Sequence, residues 1–517
     1  MSPTGDPSGV TSLKVCITAQ QAFPEFERLF LAAQSEIVMA FRIFDPWTPL
    51  YSDEARAIGE TWFDLIAHTL ARGVKIDISI SDFDPVIRVE LHRLTWRCLR
   101  ALFAAGEISG RPELLSARSA MHPARVGLLP RLIFWPRTVM EVAKTARRVN
   151  HKLKDKLDRF LFEVPFLRGQ LSRAGQKVSA RLFPVPMLVP VTHHQKLAVF
   201  DERYLYVGGL DLNERRYDTP EHERAAEQTW HDVQVIVEGP AVADALEHLR
   251  SFEDVVANRR DVPALPHLVR TLSRKRSFEL LSLSPKRCLA EINAAHLKAI
   301  DRAEKLIYLE TQYFRDRRLA ARLAQAARDN PDLRLILILP AAPDDVAFEQ
   351  SSSGDARYGE YLQWRCVRKI RKAFGDRLFI GSPAQHRPSG RMDRSQTHGA
   401  PLIYLHAKVS IFDGDSAIVS SANLNGRSLY WDTETGVCLT APDQISELRR
   451  ACYDHWLPKG AEDRFFEDAS AQQAWAELAA ENTRRRPEDR KGFLVPYRET
   501  RARVFGRNIP VIPEEMV

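Results

Sequence analysis

Two strings of residues suited to phosphate chemistry stand 212 positions apart: His194-x-Lys196-x-x-x-x-Asp201 and His406-x-Lys408-x-x-x-x-Asp413. Laid on one another without a gap, HQKLAVFDERYLYVGGLDLNER and HAKVSIFDGDSAIVSSANLNGR share His, Lys, Phe, Asp, Val, Leu, Asn and Arg at the same offsets. One copy alone would carry little weight; two in register, with matching flanks, describe a duplicated site. A phosphodiester repels nucleophiles, so its catalyst must neutralise the nonbridging oxygens, attack phosphorus in line and protonate the leaving alcohol. Lys196 and Lys408 suit the first task as fixed cations. One neutral imidazole can attack phosphorus while the other, protonated, gives its proton to the leaving oxygen. This scheme calls for no metal ion and no cofactor.

With these residues the chain resembles the phospholipase D superfamily, whose HxKxxxxD motif occurs once in each half of a bilobal chain. After the second copy, SSANLNGRSLYWDTE is similar to the family's GSxN…RS…DxE continuation, with Ser421, Asn423, Arg427, Ser428, Asp432 and Glu434 in step. GGLDLNERRYD and TWHDVQVIVEG follow the first copy in the same manner, and ETQYF at 310–314 resembles the strand that opens the family's second half. Ser420 and Thr311 depart from the pattern, where Gly and Asn are usual. The resemblance implies that His194 is the nucleophile and His406 the acid, that Asp232 orients His194 and Glu434 orients His406, and that Asp201 and Asp413 serve structure rather than proton transfer. It also implies that Asn423 and Ser421 bind the substrate phosphate. Asp211, the repeat partner of Asn423, cannot donate when ionised, so the two sides of the site differ. His193 is expected to face away from the site, and His68, His92 and His455 read as ordinary surface or core residues.

The elements that must position these groups read alike in both halves. AFPEFERLFLAAQ, EIVMAFRIF, TWFDLIAHTLARG and VKIDISISDFDP are answered by CLAEINAAHLKAIDRAE, KLIYLETQYF, RRLAARLAQAARD and LRLILILP. Helical spacing followed by short apolar runs is the pattern of βαβ units with buried parallel strands. The expected fold is therefore α/β: two tandem phospholipase D-like lobes, each a mixed, mostly parallel sheet flanked by helices, related by a pseudo-twofold axis. Each motif Lys opens a strand, where side chains two apart share a face. Boundaries are expected at 1–257 for the first lobe, 258–275 for a Pro- and Arg-rich linker, 276–460 for the second lobe and 461–517 for a helical and tail extension. From Lys75 to His194 is 119 residues and from Arg334 to His406 is 72, leaving the first half 47 longer. The surplus is placed at about 118–177, where 14 Lys and Arg meet four acids among interleaved Trp, Phe, Leu and Ile. That composition describes either an interfacial segment drawn to anionic lipid or a solvated arm packed on the domain.

With 517 residues, 44% of them hydrophobic and 27% charged, the chain reads as a globular protein of more than one domain. No run of about 18 apolar residues suggests a membrane-spanning helix. Residues 1–20 lack the charged and apolar regions of a secretory leader, which points to the cytoplasm and leaves export by another route open; the chain is expected to be a monomer, peripherally associated with membranes. Six scattered cysteines offer no zinc spacing and read as reduced thiols. A net charge of +7 favours anionic partners. The leading reading is a phospholipid substrate, hydrolysed or transphosphatidylated, at an anionic membrane surface. Phosphatidyl transfer to a lipid alcohol, as in cardiolipin synthase, is the alternative. A nuclease of the same superfamily is disfavoured, because the basic segment is apolar rather than built for base stacking, and no nucleic acid is expected as a partner.

Overall fold

The computed structural model describes residues 8–152, 156–510 and 512–517. The leader reading thus falls partly on residues 1–7, outside the described residues, and the basic segment includes 153–155, also outside them.

The first lobe runs β1 (Ser12–Ile17), α1 (Thr18–Ala32), β2 (Glu36–Phe41), α2 (Trp62–Ala71), β3 (Lys75–Asp82), α3 (Val89–Ile108), β4 (Leu115–Met121), an inserted α4 (Leu128–Lys152), β5 (Lys196–Phe200), β6 (Tyr204–Gly208), β7 (Val233–Glu238) and α5 (Pro240–Val256). The second lobe repeats the plan with β8 (Val269–Arg274), β9 (Lys286–Ala290), α6 (Glu291–Arg302), β10 (Leu306–Thr311), α7 (Arg317–Asp329), β11 (Arg334–Ile338), α8 (Gly354–Phe374), β12 (Leu378–Pro383), β13 (Lys408–Phe412), β14 (Ser416–Ser420), β15 (Glu434–Leu439) and α9 (Pro442–Trp456). Helix α10 (Ala471–Asn482) and strand β16 (Leu494–Pro496) follow. Spacing explains the helices: in α1, Ala22, Phe23, Phe26 and Phe30 fall on one face and are buried against the sheet. In α7, Asp316 caps the start by accepting from the Leu319 amide at 2.6 Å, and Leu319, Ala320, Leu323 and Ala327 form the buried stripe.

One sheet has the order β1–β7–β6–β5–β2–β3–β4 and the other β9–β8–β15–β14–β13–β10–β11–β12–β16. The order from β7 to β4 is that from β15 to β12, which makes the duplication three-dimensional. Both sheets are mixed and flanked by helices, but they are not mostly parallel. Parallel pairing is confined to β2–β3–β4 and β10–β11–β12. Elsewhere the partners run antiparallel; β5 and β6, like β13 and β14, are joined by tight turns at 201–203 and 413–415 rather than by helical crossovers.

Three boundaries differ from the expected ones. Val269–Arg274, assigned by sequence reading to the 258–275 linker, is β8, paired antiparallel to β15 through Thr271 and Glu434. Its short VRTLSR run was masked by the neighbouring Pro and Arg residues. The stretch after 460 is core as much as extension: Ala471, Trp475 and Ala479 of α10 are buried in a cluster that also holds Val199, Val235, Val409 and Val437. That cluster takes side chains from both sheets, so the lobes share one apolar interior. Arg118 belongs to β4, where it is ion-paired with Asp77 and with Glu253 at 2.6 Å, so the inserted segment starts after Met121. Val142, Ala146 and Val149 of α4 are buried with Val86 and Val89, whereas Leu128, Leu129, Leu132 and Ile133 at its other end are exposed.

Candidate functional site

Each motif strand lies buried inside its sheet, and the motif's spacing follows from the strand it forms. Leu197–Phe200 and Val409–Phe412 run to a tight turn at which Asp201 and Asp413 adopt the left-handed conformation, φ 49° and 52°. There the carboxylates collect backbone amides: Asp201 from Gln34, Ser35 and Glu36 at 2.8–3.0 Å, Asp413 from Glu304, Lys305 and Leu306 at 2.8–2.9 Å. Five residues of strand at about 3.3 Å each put them about 16 Å from the lysines. They therefore start β2 and β10 and do not meet the imidazoles.

At the other end of the motifs the lobes exchange partners. The His194 amide donates to the Thr433 carbonyl at 2.9 Å, and the His406 amide to the His231 carbonyl at 2.7 Å. Each contact brings the following residue's carboxylate across the interface. Glu434 lies 3.0 Å from Nδ1 of His194, and Asp232 lies 2.6 Å from Nδ1 of His406. The carboxylate pairing is thus the reverse of the one expected from the family resemblance. Within a lobe the last strand is separated from the motif strand by β6 or β14, two strand spacings or about 10 Å, whereas the facing lobe places its carboxylate in contact.

Both imidazoles are held at Nδ1, which leaves Nε2 to face a substrate, and Lys196 and Lys408 each donate to the carbonyl of their own motif histidine. Burial holds both imidazoles well below their usual range, and the positive charges around them add to it: Lys196, Arg42 and Lys408 for His194, Lys408, Arg216 and Lys196 for His406. Burial also pushes Lys408 down to about 7 and Glu434 up to about 8, the latter opposed by Lys196. Such a site is short of negative charge, and an anion entering it would restore the protonated forms.

The two sides differ as Asp211 and Asn423 suggest. Asp211 is 3.8 Å from the Lys196 ammonium, 3.9 Å from Arg42, and accepts from the Ile43 amide at 2.9 Å. Asn423 donates to Gln312 at 3.1 Å, and its side-chain oxygen is buried without a partner among the described residues. The Ser421 hydroxyl donates to Glu434 at 2.5 Å and so supports the His194 partner. His193 faces away, 2.8 Å from the Thr433 hydroxyl and packed against Phe252. Sequence reading missed Arg42, Arg216 and Gln312. Arg216 lies 3.7 Å over the Trp230 ring and Gln312 donates to the Tyr404 hydroxyl at 2.6 Å. Arg216 and Gln312 lie in the quoted flanks ERRYD and ETQYF, but nothing in their type separated them from ordinary surface residues.

Comparison with known proteins gives the same direction. Residues 296–456 match the family described as cardiolipin synthase, PLD-like domain. The chain is 22% identical over 342 residues to phospholipase D1 of Schizosaccharomyces pombe, a match covering 49% of this chain and 25% of that protein. It is 23% identical over 262 residues to a cardiolipin synthase of Listeria welshimeri, covering 50% of this chain and 47% of that one. Each match therefore spans less than half of the relative's length. Among solved structures, phosphatidylserine synthase of Haemophilus influenzae shares the fold over 90% of this chain and 92% of its own, with a TM-score of 0.50 and 12% identity.

Proposed function

Because the chain belongs to the phospholipase D superfamily, we propose that it is a phosphodiesterase that hydrolyses or exchanges the head group of glycerophospholipids through a phosphohistidine. The observation that carries this reading is the reciprocal pairing of two imidazoles with two carboxylates across the lobe interface. In the first step Nε2 of His194 attacks phosphorus, the bond to the head-group oxygen breaks, and His406 gives that oxygen its proton. In the second, His406 takes a proton from water or an alcohol, whose oxygen attacks phosphorus and releases His194. Lys196, Lys408 and Arg42 supply the cations that meet the nonbridging oxygens. A Glu434 carboxyl oxygen accepts from Nδ1 of His194, which leaves the lone pair on the attacking nitrogen.

A lipid substrate is favoured by an exposed apolar surface. Residues 126–129 hydrogen-bond to 188 and to 279–282, joining three stretches whose apolar side chains face solvent: Leu132 and Ile133, Leu182 and Phe183, Phe278 and Leu281. An apolar rim of this kind suits an acyl interface. No helix among the described residues is long and apolar enough to cross a membrane.

The test is to incubate the purified protein with a mixed glycerophospholipid panel, with and without a primary alcohol, and to identify products by mass. Phosphatidic acid that gives way to the phosphatidyl alcohol when alcohol is added is the expected result. Products formed only with a lipid alcohol as acceptor would move the assignment to a synthase of the cardiolipin type, and cleavage of nucleic acid with no lipid product would remove it.

A further inference from the structure

On the far side of the residues that present Asp232, three histidines from both lobes converge. One nitrogen from each of His222, His231 and His455 lies within 4.8 Å of the other two. His222 and His455 face each other through Nε2 at 2.9 Å, and the His231 ring centre is 4.4 Å from that of His455. Carboxylates hold the outer nitrogens of two of the rings. Asp218 lies 2.7 Å from Nδ1 of His222, and Glu310 lies 3.1 Å from Nε2 of His231. With a proton engaged at each of those positions, the inner nitrogens carry lone pairs. Nδ1 of His231 is buried without a hydrogen-bond partner among the described residues.

Carboxylate-backed imidazoles whose free nitrogens meet are the usual arrangement around a borderline divalent cation. The setting also fits, since Asp218 and Glu310 are both buried carboxyl groups, and a buried carboxylate is stable where a cation lies beside it. Two nitrogens on a tetrahedral zinc with bonds of about 2.0–2.1 Å stand about 3.3 Å apart, close to the spacing of His222 and His455. Both line a cavity of about 690 Å³, bounded also by Gln385, His386 and Phe493, from which water could supply a fourth ligand.

We propose that His222, His231 and His455 bind one zinc-class divalent cation that ties the two lobes together behind the catalytic pair. On binding, the proton between His222 and His455 moves to the outer nitrogen of His455 and no proton need be lost. The ion would hold the backbone at His231, whose carbonyl receives the His406 amide, and would not touch phosphorus.

The test uses untagged protein, stripped with a chelator and desalted. Cobalt titration is expected to saturate at one ion per chain with the intense visible bands of a four-coordinate site, and one equivalent of zinc should displace it and raise the thermal midpoint by several degrees. His455→Gln and His222→Ala should lose the bands, while His386→Ala, which alters the cavity wall alone, should keep them. Absence of stoichiometric binding by the unsubstituted protein, or bands that survive His455→Gln, would overturn the proposal. The effect of zinc on the unsubstituted protein decides the matter even where a variant does not fold.

Discussion

His194 and His406 stand in similar frames with unlike surroundings, and the difference is what separates their proposed roles. The His194 partner Glu434 is itself supported by Ser421, and Lys196 beside it has Asp211 at 3.8 Å. On the other side Lys408 lies 2.7 Å from Nδ1 of His406, and burial has brought it to about 7. A nucleophile must be held neutral and aimed; an acid must acquire a proton when an anion arrives. His194→Ala and His406→Ala are each expected to lower turnover of a natural phospholipid on the order of a thousandfold or more. With an activated leaving group that needs no proton, His406→Ala should regain part of its rate and accumulate an acid-labile phosphoenzyme, while His194→Ala should do neither. Rapid quench with labelled substrate reads both. Phosphoenzyme in His194→Ala and none in His406→Ala would invert the assignment.

The strands β7 and β15 decide which carboxylate serves which imidazole, because Asp232 and Glu434 stand at their beginnings and point across the interface. Glu434→Gln should therefore impair the nucleophile of the first lobe and Asp232→Asn the acid of the second. Each loss is expected on the order of a hundredfold with a natural substrate, and the activated substrate should rescue Asp232→Asn alone. Rescue of Glu434→Gln alone would show that function follows the within-lobe pairing after all. The crossing was not legible in the sequence, since His194 and Asp232 belong to the same half of the chain while β6 keeps them apart in the sheet. What was legible was the repeat itself: matching offsets from His to Asp report strand length, and the strands obey it. Sheet direction was read less well. Continuous apolar runs such as KLAVF and KVSIF report burial on both faces, here under helices on one side and the facing lobe on the other, and say nothing of parallel pairing. The short DER and DGD turns after them carried that information. His455 passed as an ordinary residue because its partners His222 and His231 lie in the other half of the chain, and no local spacing announces a site assembled across an interface.

Across the whole molecule the charge excess of the stretch 118–177 is answered in part by ion pairs. Arg118 is paired with Asp77 and Glu253, Arg148 with Glu90, Arg159 with Glu163, and Arg137 and Lys144 with Glu141. Exposed pairs of this kind stabilise the fold little, yet they lower the charge available to an anionic surface. Removing the whole segment would also remove Val142, Ala146 and Val149 from a buried cluster and part of β4 from its sheet, so a deletion would confuse binding with folding. The apolar rim gives a cleaner test. Ile133 is 76% exposed, Phe183 66% and Phe278 76%, and each can be replaced by Ser without opening the core. An apolar side chain of this size contributes about 1.5 kcal/mol or more when it leaves water, close to a factor of ten in partitioning. The triple variant is expected to bind phosphatidylglycerol vesicles at least roughly a hundredfold more weakly in sedimentation, with turnover of a short-chain soluble phospholipid unchanged. Salt should matter less than these three side chains, since at 1 M the Debye length is about 3 Å and only the unpaired charges respond. Vesicle binding that survives the triple variant and disappears in salt would mean that charge, not the rim, brings this protein to the membrane.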